Sequence, residues 1–517
     1  MHKKPTHWFV FSIFLSAAIT LFVRLRSNAL LSFYDDDAFY YFQIARNMAS
    51  RHGSTFDGTH LTNGYHPLWM LTLVALNLLA PGKTLFFLLQ CIAFASVVTT
   101  FLAANSLFRY FSTNLAITQI AAAIIALQVL QLVLGGMEVT LTLPLALCLC
   151  WYRLRPQFRW TASEAMRYGL LAALVVLSRL DSLLLIVLLF LLDFSLLHLR
   201  PEDRLPRLYA VLSFALPVLL YALSNHVWFH VWLPISGQAK QMRFHSSLHL
   251  AAIRSAFDPI NFPYWVIVVY PALLVLSGCV IGLCRAGRLQ IRRITLAFCI
   301  SLVAFPILQF LVFVTLSDWP IWPWYLYSLP LAMTGLFLLL FEQYPSAQLF
   351  RRAGDYVMLQ APIALLAFLF AWAHTADRSG ERVQWYLYAK DIEAFSQNHD
   401  GIYAMGDCAG TTGYLIHQPL VQLEGLTMDA DFLQNLRAQH NLNQVLQLYD
   451  VRYYVTLNPE HVGECYRTRE PTQAGPDSPH MLGSFCQQPI ATYQHSNVTV
   501  DIFDLKRDAA SSTAPSR

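Results

Sequence analysis

The sequence predicts an α-helical polytopic membrane protein carrying a small C-terminal extracytoplasmic α/β domain. Three observations carry this. The 517-residue chain is 56% hydrophobic and 13% charged, about half the roughly 25% charged share of soluble domains, and its mean hydropathy is +0.44. Apolar runs long enough to cross a bilayer recur up to residue 374. Beyond that point strand-like apolar runs alternate with polar loops, and no internal repeat appears.

Taken in order, spanning runs lie near 8–31, 84–107, 115–134, 138–152, 207–224, 264–284, 294–316, 323–341 and 357–374. The start, MHKKPTHWFVFSIFLSAAITLFVRL, is basic but lacks a small-residue cleavage site, so it reads as a retained helix rather than a signal peptide. The run 168–197 is too long for one helix and is broken by Arg179 and Asp181; it reads as two short helices meeting at a surface, for about eleven spans in all. The segment 67–80 is short for a crossing, and the positive-inside rule decides its case. If it dips without crossing, MHKK, Arg109, 152–159, 198–207, 285–293 and Arg351–Arg352 all lie in the cytoplasm. If it crosses, all of these except the N-terminus flip outward. The first arrangement gives a transmembrane module over 1–374 with a cytoplasmic N-terminus and a first outer loop at 32–83. An α/β domain at 375–505 follows outside, then a disordered tail at 506–517.

The same orientation puts six polar clusters on the outer face: Asp35–Asp37, TNGYHP (62–67), GGMEVT (135–140), SRLDS (178–182), LPISGQAK (233–240) and SDWPIWPWY (317–325). Polar groups at a bilayer surface are costly without solvent or a task, and one extracytoplasmic site is the economical reason for their segregation. The net charge of +4 is small and dispersed, without a nucleic-acid signature. Of nine cysteines, six lie in apolar spans as packing residues, whereas Cys465 and Cys486 allow a disulfide if the C-terminal part is extracytoplasmic.

Several residues could carry chemistry, each with a plainer alternative. Asp36 and Asp37 suit a general base or a metal ligand, or else a solvated loop capping the next helix; Asp35 fits the capping role. Lys240 is one of six lysines and sits outside, where the positive-inside rule disfavours it. It suits a phosphate or headgroup contact, and Arg243, one turn on, could share that role. Arg179 and Asp181 form an ion pair holding two half-helices, or Arg179 faces a phosphate. Glu138 begins a helix, where the macrodipole favours a carboxylate. His66, beside Tyr65 in NGYHPLW, could donate to a phosphate oxygen or be a satisfied interfacial histidine. Trp319, Trp322, Trp324 and Tyr325 form an interfacial belt or a groove for sugar or isoprenoid. HVWFH (226–230) lacks a third ligand and reads as interfacial, and no nucleotide loop, metal motif or Ser–His–Asp pattern stands out, so the metal prediction is none.

The combination resembles the C superfamily of glycosyltransferases (GT-C), integral membrane enzymes that use polyprenyl-phosphate sugars. Asp36–Asp37 before AFYYFQIARNMA matches the acidic pair of the family's first outer loop, and HPLW (66–69) is similar to the segment with which O-mannosyltransferases enter the membrane. Together with GGMEVTL, LSRLDSLLL and LPISGQAK, the pattern resembles protein O-mannosyltransferases, aminoarabinose transferases and terminal arabinofuranosyltransferase-like bacterial proteins. Ile235 and Ser236 depart from the usual Leu-Pro-Asn-Thr, and the C-terminal part matches only through GDCAGTTGYL and QLEGL.

The resemblance implies an inverting transferase of a bacterial inner membrane. Its donor is a polyprenyl-phosphate sugar, and its acceptor is a hydroxyl of an envelope glycan, lipid or protein. Asp36 is the general base with Asp37 assisting, and Lys240, Arg179 and His66 meet the donor phosphate. Glu138, Asp181, Tyr65 and Arg243 support the site. A divalent metal is possible, because metal dependence varies across the superfamily. One rival class is a flippase for a lipid-linked sugar, which needs the cation and groove but no base; inverted repeats would favour it. Another is an envelope scaffold, for which so many spans are excessive.

Overall fold

The computed structural model describes residues 15, 18, 30–195, 201–241, 249–259, 262, 264–285, 291–344 and 381–506. The expected spans at 8–31 and 357–374, the tail from residue 507 and Arg243 lie outside the described residues. The helical part comprises α1 (Asp36–Ala49), α2 (Pro67–Leu79), α3 (Lys83–Phe108), α4 (Leu115–Val133), α5 (Val139–Leu154), α6 (Ala162–Ser178) and α7 (Leu183–Ser195). It continues with α8 (Arg204–Phe229), α9 (Ile235–Ala239), α10 (Leu250–Ala256), α11 (Tyr270–Arg285), α12 (Arg293–Leu316) and α13 (Ser328–Gln343).

Local chemistry sets several boundaries. Asn114 caps α4 by accepting from the Ala116 and Ile117 N–H groups, and Thr161 caps α6 by accepting from Glu164 N–H. Pro67 opens α2, where its missing N–H costs nothing. With 13 residues, α2 is about 20 Å long, too short for a hydrocarbon core of about 30 Å. Among the described residues six helices are long and apolar enough to cross a bilayer. The expected eleven are not reached there, because two lie outside these residues and α5, α6 and α7 have only 16, 17 and 13 residues. The break in 168–197 falls where the charges are: α6 stops at Ser178, Arg179 is extended, and a 3₁₀ turn at Leu180–Ser182 leads into α7.

Only 6% of the apolar window in Trp265–Arg285 and 11% of that in Pro201–Phe229 is buried within the protein, so these helices turn their apolar side chains outward, as lipid requires and water forbids. The charged groups divide between the poles. At the ends of α5, α6, α7 and α12 remote from the Arg179 break, Arg153 pairs with Asp193 (Nη2–Oδ1 2.6 Å), Arg155 with Glu164, and Arg292 with Glu342 (Nε–Oε1 2.7 Å).

The C-terminal part has helices α14 (Glu381–Ser396), α15 (Ala409–Leu415), α16 (Ala430–Arg437) and α17 (Leu442–Leu448). Its strands are β1 (Tyr403–Met405), β2 (Leu420–Gln422), β3 (Tyr453–Leu457), β4 (Glu460–Val462), β5 (Cys465–Glu470), β6 (Met481–Phe485), β7 (Ala491–His495) and β8 (Val498–Asp504). One five-stranded sheet runs β2-β1-β3-β8-β7, with β1 parallel to β2 and β3 and an antiparallel edge at β8 and β7. A second, antiparallel sheet runs β4-β5-β6, and Cys465 and Cys486 are bonded across its end. The α/β part does not hang free. Phe39 and Phe42 of α1 meet Tyr414 of α15 at ring separations of 5.5 and 6.4 Å, and the Arg46 guanidinium lies 4.6 Å over the same ring. A single apolar core therefore runs from the helices into the sheet. The fit depends on small residues: a Cβ on Gly410 would come 2.2 Å from the Asp36 carbonyl oxygen, and one on Gly413 would come 2.4 Å from the Phe56 ring.

Candidate active site

A cavity of about 440 Å³ lies at the pole where α1 begins, α6 breaks and α12 ends. All six polar clusters marked out in the sequence reach it, through Asp37, His66, Glu138, Arg179 with Asp181, Lys240, and Trp319 with Trp324 and Tyr325. One side of the lining is apolar, with Val176, Leu183, Val218, Tyr221 and Trp232. The loops are tied to one another. Asn63 Oδ1 accepts from Ile235 N–H (3.0 Å), which joins TNGYHP to LPISGQAK, and Leu180 N–H donates to His66 Nδ1 (3.2 Å).

The two cations of the cavity, buried Arg179 and half-buried Lys240, differ in how far they are neutralised. Arg179, 1% exposed, pairs with Glu138 and, through Nε, with Asp181 Oδ1 at 3.0 Å, and it lies over the Tyr325 and Tyr327 rings. Asp181 also accepts from Tyr327 Oη (2.9 Å) and Gln309 Nε2 (2.7 Å). This is the ion-pair arrangement considered for the break, and it brackets one guanidinium with two carboxylates. Lys240 meets no carboxylate within 4.0 Å among the described residues; its Nζ donates to Tyr325 Oη (3.2 Å) and sits 5.2 Å from the Trp319 ring. It is the available cation of the cavity. His66 Nε2 is 3.8 Å from Glu138 Oε1. Tyr65 points elsewhere, its hydroxyl 2.8 Å from Ser54 Oγ, so it steadies the loop without lining the cavity.

The sequence reading put Asp36 first, and the two aspartates differ in their surroundings. The Asp36 carboxylate accepts from Gly410 N–H (2.9 Å), Thr411 N–H (2.7 Å) and Thr411 Oγ1 (2.6 Å), all at the start of α15. Burial pushes its pKa up to about 7 against the pull of those donors, with Asp37 adding to the rise. Both its oxygens are occupied. Asp37, one residue on and turned by the helical step, accepts no hydrogen bond among the described residues and lines the cavity. Its pKa is also raised by burial, with Lys240 pulling down and Glu138 pushing up.

Sequence reasoning passed over a third group, which comes from the C-terminal part. Asp407, Glu424, Gln473 and Trp385 join Asp36, Asp37, Tyr40, Lys240 and the tryptophans around a side arm of about 30 Å³. Burial raises the Asp407 pKa to about 6 and pushes Glu424 up, the latter with help from Asp407. Asp407 Oδ2 accepts from Gln473 Nε2 (2.7 Å), while Glu424 Oε2 accepts from Gln422 Nε2 (2.7 Å) and Tyr40 Oη (3.3 Å). The signal was in GDCAGTTGYL and QLEGL, which contain both acids. Among the described residues the group with metal-ligand spacing is His249, Asp318 and Asp477, away from the lining of both spaces; there Asp318 Oδ2 accepts from Asp477 N–H (3.1 Å) and ties the two parts together.

The fold is similar to that of solved ArnT structures. ArnT from Cupriavidus metallidurans bound to undecaprenyl phosphate is similar at a TM-score of 0.53 and 13% identity, over 99% of this chain and 100% of that one. The same protein in the apo state gives 0.52 and 13% over 86% and 92%. The archaeal oligosaccharyltransferase AglB from Archaeoglobus fulgidus, in complex with an inhibitory peptide and a dolichol-phosphate, gives 0.47 and 10% over 87% and 69%. No protein-family model matches the sequence, and no curated protein does.

Proposed function

We propose that the chain is a membrane glycosyltransferase that moves a sugar from a polyprenyl-phosphate donor to an acceptor hydroxyl on an envelope glycan, lipid or protein. The observation that carries this is one cavity lined by an unpaired carboxylate, Asp37, an unneutralised cation, Lys240, and an apolar wall. ArnT, whose fold this chain shares, binds undecaprenyl phosphate. The apolar wall includes Val218 and Tyr221 of α8, whose other faces carry exposed leucines, so an isoprenoid reaches the cavity from the bilayer.

In the proposed step the acceptor oxygen attacks the anomeric carbon from the face opposite the phosphate, giving inversion. Its proton passes to Asp37 as general base. The bond from the anomeric carbon to the phosphate oxygen breaks with its electron pair, and polyprenyl phosphate leaves with its charge met by Lys240. Arg179, already paired twice, and His66, held through Nδ1, flank that position and orient the phosphate. Asp36 holds α1 against α15 and so aims Asp37. The disulfide and the basic groups at the opposite pole support an extracytoplasmic site with the basic loops inside the cell.

Removing the protein from its cell and identifying the lipid-linked sugar that accumulates tests this reading. Restoration by the native chain but not by Asp37→Asn is expected. Full restoration by Asp37→Asn would leave a flippase, which needs no base.

A further inference from the structure

Along the apolar helix α12, Ser301 and Thr315 donate to carbonyls of their own helix, those of Ala297 and Leu311. Gln309 behaves differently. It is 3% exposed, and both ends of its amide reach off the helix. Nε2 donates to Asp181 Oδ2 (2.7 Å) at the break between α6 and α7, and Oε1 accepts from Ser328 Oγ (2.6 Å) at the start of α13. A polar side chain buried among membrane helices is costly without a task. Resting on the transferase reading, we propose that Gln309, locked by Ser328, is a positioning residue: it holds the Asp181 carboxylate so that Arg179 presents one corner of its guanidinium to the donor phosphate.

A guanidinium is planar and donates from three nitrogens. Arg179 Nε donates to Asp181 Oδ1 (3.0 Å) and Nη1 to Glu138. Nη2 makes no hydrogen bond among the described residues, and Arg179 lines the large cavity. Two pinned nitrogens fix the plane of the group, and with it the direction in which Nη2 donates. The first pin is only as firm as Asp181. Its Oδ1 also accepts from Tyr327 Oη (2.9 Å), and its Oδ2 accepts, among the described residues, from Gln309. The Ser328 hydroxyl settles which way the amide faces. Reversed, the amide would set Oε1 against the carboxylate, two acceptors with no proton between them.

Charge gives the same contact a second effect. Asp181 itself lines the cavity, as does Glu138. A carboxylate free to swing into that space repels an entering phosphate, whereas one held by Arg179, Tyr327 and Gln309 has its charge met where it stands. Neither Gln309 nor Ser328 lines the large cavity; both face a separate space of about 310 Å³ between α11, α12 and α13. Replacing them leaves the donor's own contacts in place and acts through Asp181 and Arg179.

The test uses the full-length protein in nanodiscs and two lipids of one chain length, undecaprenyl phosphate and the neutral undecaprenol, titrated by tryptophan quenching. Gln309→Leu is expected to weaken undecaprenyl phosphate binding about tenfold, and Ser328→Ala, which frees the amide without removing it, about threefold. Both are expected to leave undecaprenol affinity within about twofold, which also reports that the variants are folded. A plain tie between helices acts otherwise, since its loss weakens both lipids alike or neither, and either result overturns the proposal. So does a Gln309→Leu effect that keeps its full size in an Arg179→Lys background, because the effect has to pass through the guanidinium. Native protein that does not bind undecaprenyl phosphate refutes the transferase reading and this inference with it. Native binding that Gln309→Leu leaves unchanged refutes the inference alone.

Discussion

Replacing each aspartate by asparagine separates the roles of two neighbours on one helix. Asp37 accepts no hydrogen bond among the described residues, so Asp37→Asn removes a base and little else. General-base catalysis contributes about 10²–10⁴-fold, and the transfer rate is expected to fall by that factor while undecaprenyl phosphate still binds. Asp36→Asn acts differently. The native carboxylate accepts three hydrogen bonds, from Gly410 N–H, Thr411 N–H and Thr411 Oγ1. Asparagine keeps one acceptor oxygen and turns an NH₂ toward a donor, so at least one charge-assisted bond is lost, about 1.5–3 kcal/mol. That loss appears first as loosened docking of α15 on α1, read by amide hydrogen exchange at Gly410–Thr412, and only secondarily as activity. Both rates are measured in the same membranes with a labelled lipid-linked sugar, alongside exchange. A 10²-fold or greater loss in Asp36→Asn with native exchange, together with near-native transfer by Asp37→Asn, would refute the assignment and return the base to Asp36.

Lys240→Ala should lower undecaprenyl phosphate affinity about 10–100-fold, since it removes the charge that meets the phosphate; fluorescence titration checks this, and an unchanged affinity would move that role to Arg179. Gly410→Ala should loosen the α/β part, because its Cβ would meet the Asp36 carbonyl at 2.2 Å; limited proteolysis should release a C-terminal fragment that the native protein keeps. Glu470 is buried with Tyr454 Oη 2.9 Å from its Oε1, and burial raises its pKa from 4.5 to about 8. A carboxyl raised on folding stabilises most below its unfolded pKa, and that contribution is lost as pH rises through the folded value. Melting of the native protein should therefore fall between about pH 5 and pH 8.5 more steeply than that of Glu470→Gln, and parallel pH profiles would contradict the shift.

By itself the sequence determined the membrane class, the break at Arg179–Asp181, the short α2 and the six clusters that meet at the cavity. Each of these follows from local chemistry: apolar length against bilayer thickness, loop charge, and the expense of polar groups in lipid. The Cys465–Cys486 disulfide was only allowed by the sequence, since Cys408 lies in the same polar region, and the fold makes it. Tertiary structure alone decided that Asp37 lines the larger cavity while Asp36 lines only the side arm. Asp36 and Asp37 are chemically alike and adjacent, and only the approach of Gly410 and Thr411, more than 370 residues along the chain, fills one and leaves the other open. It also separated Lys240 from Arg179, because whether a cation is neutralised depends on which carboxylates the fold brings near it. Asp407 and Glu424 were hidden for the same reason: in the sequence they are polar residues of a surface domain, and burial against α1 brings them to the side arm.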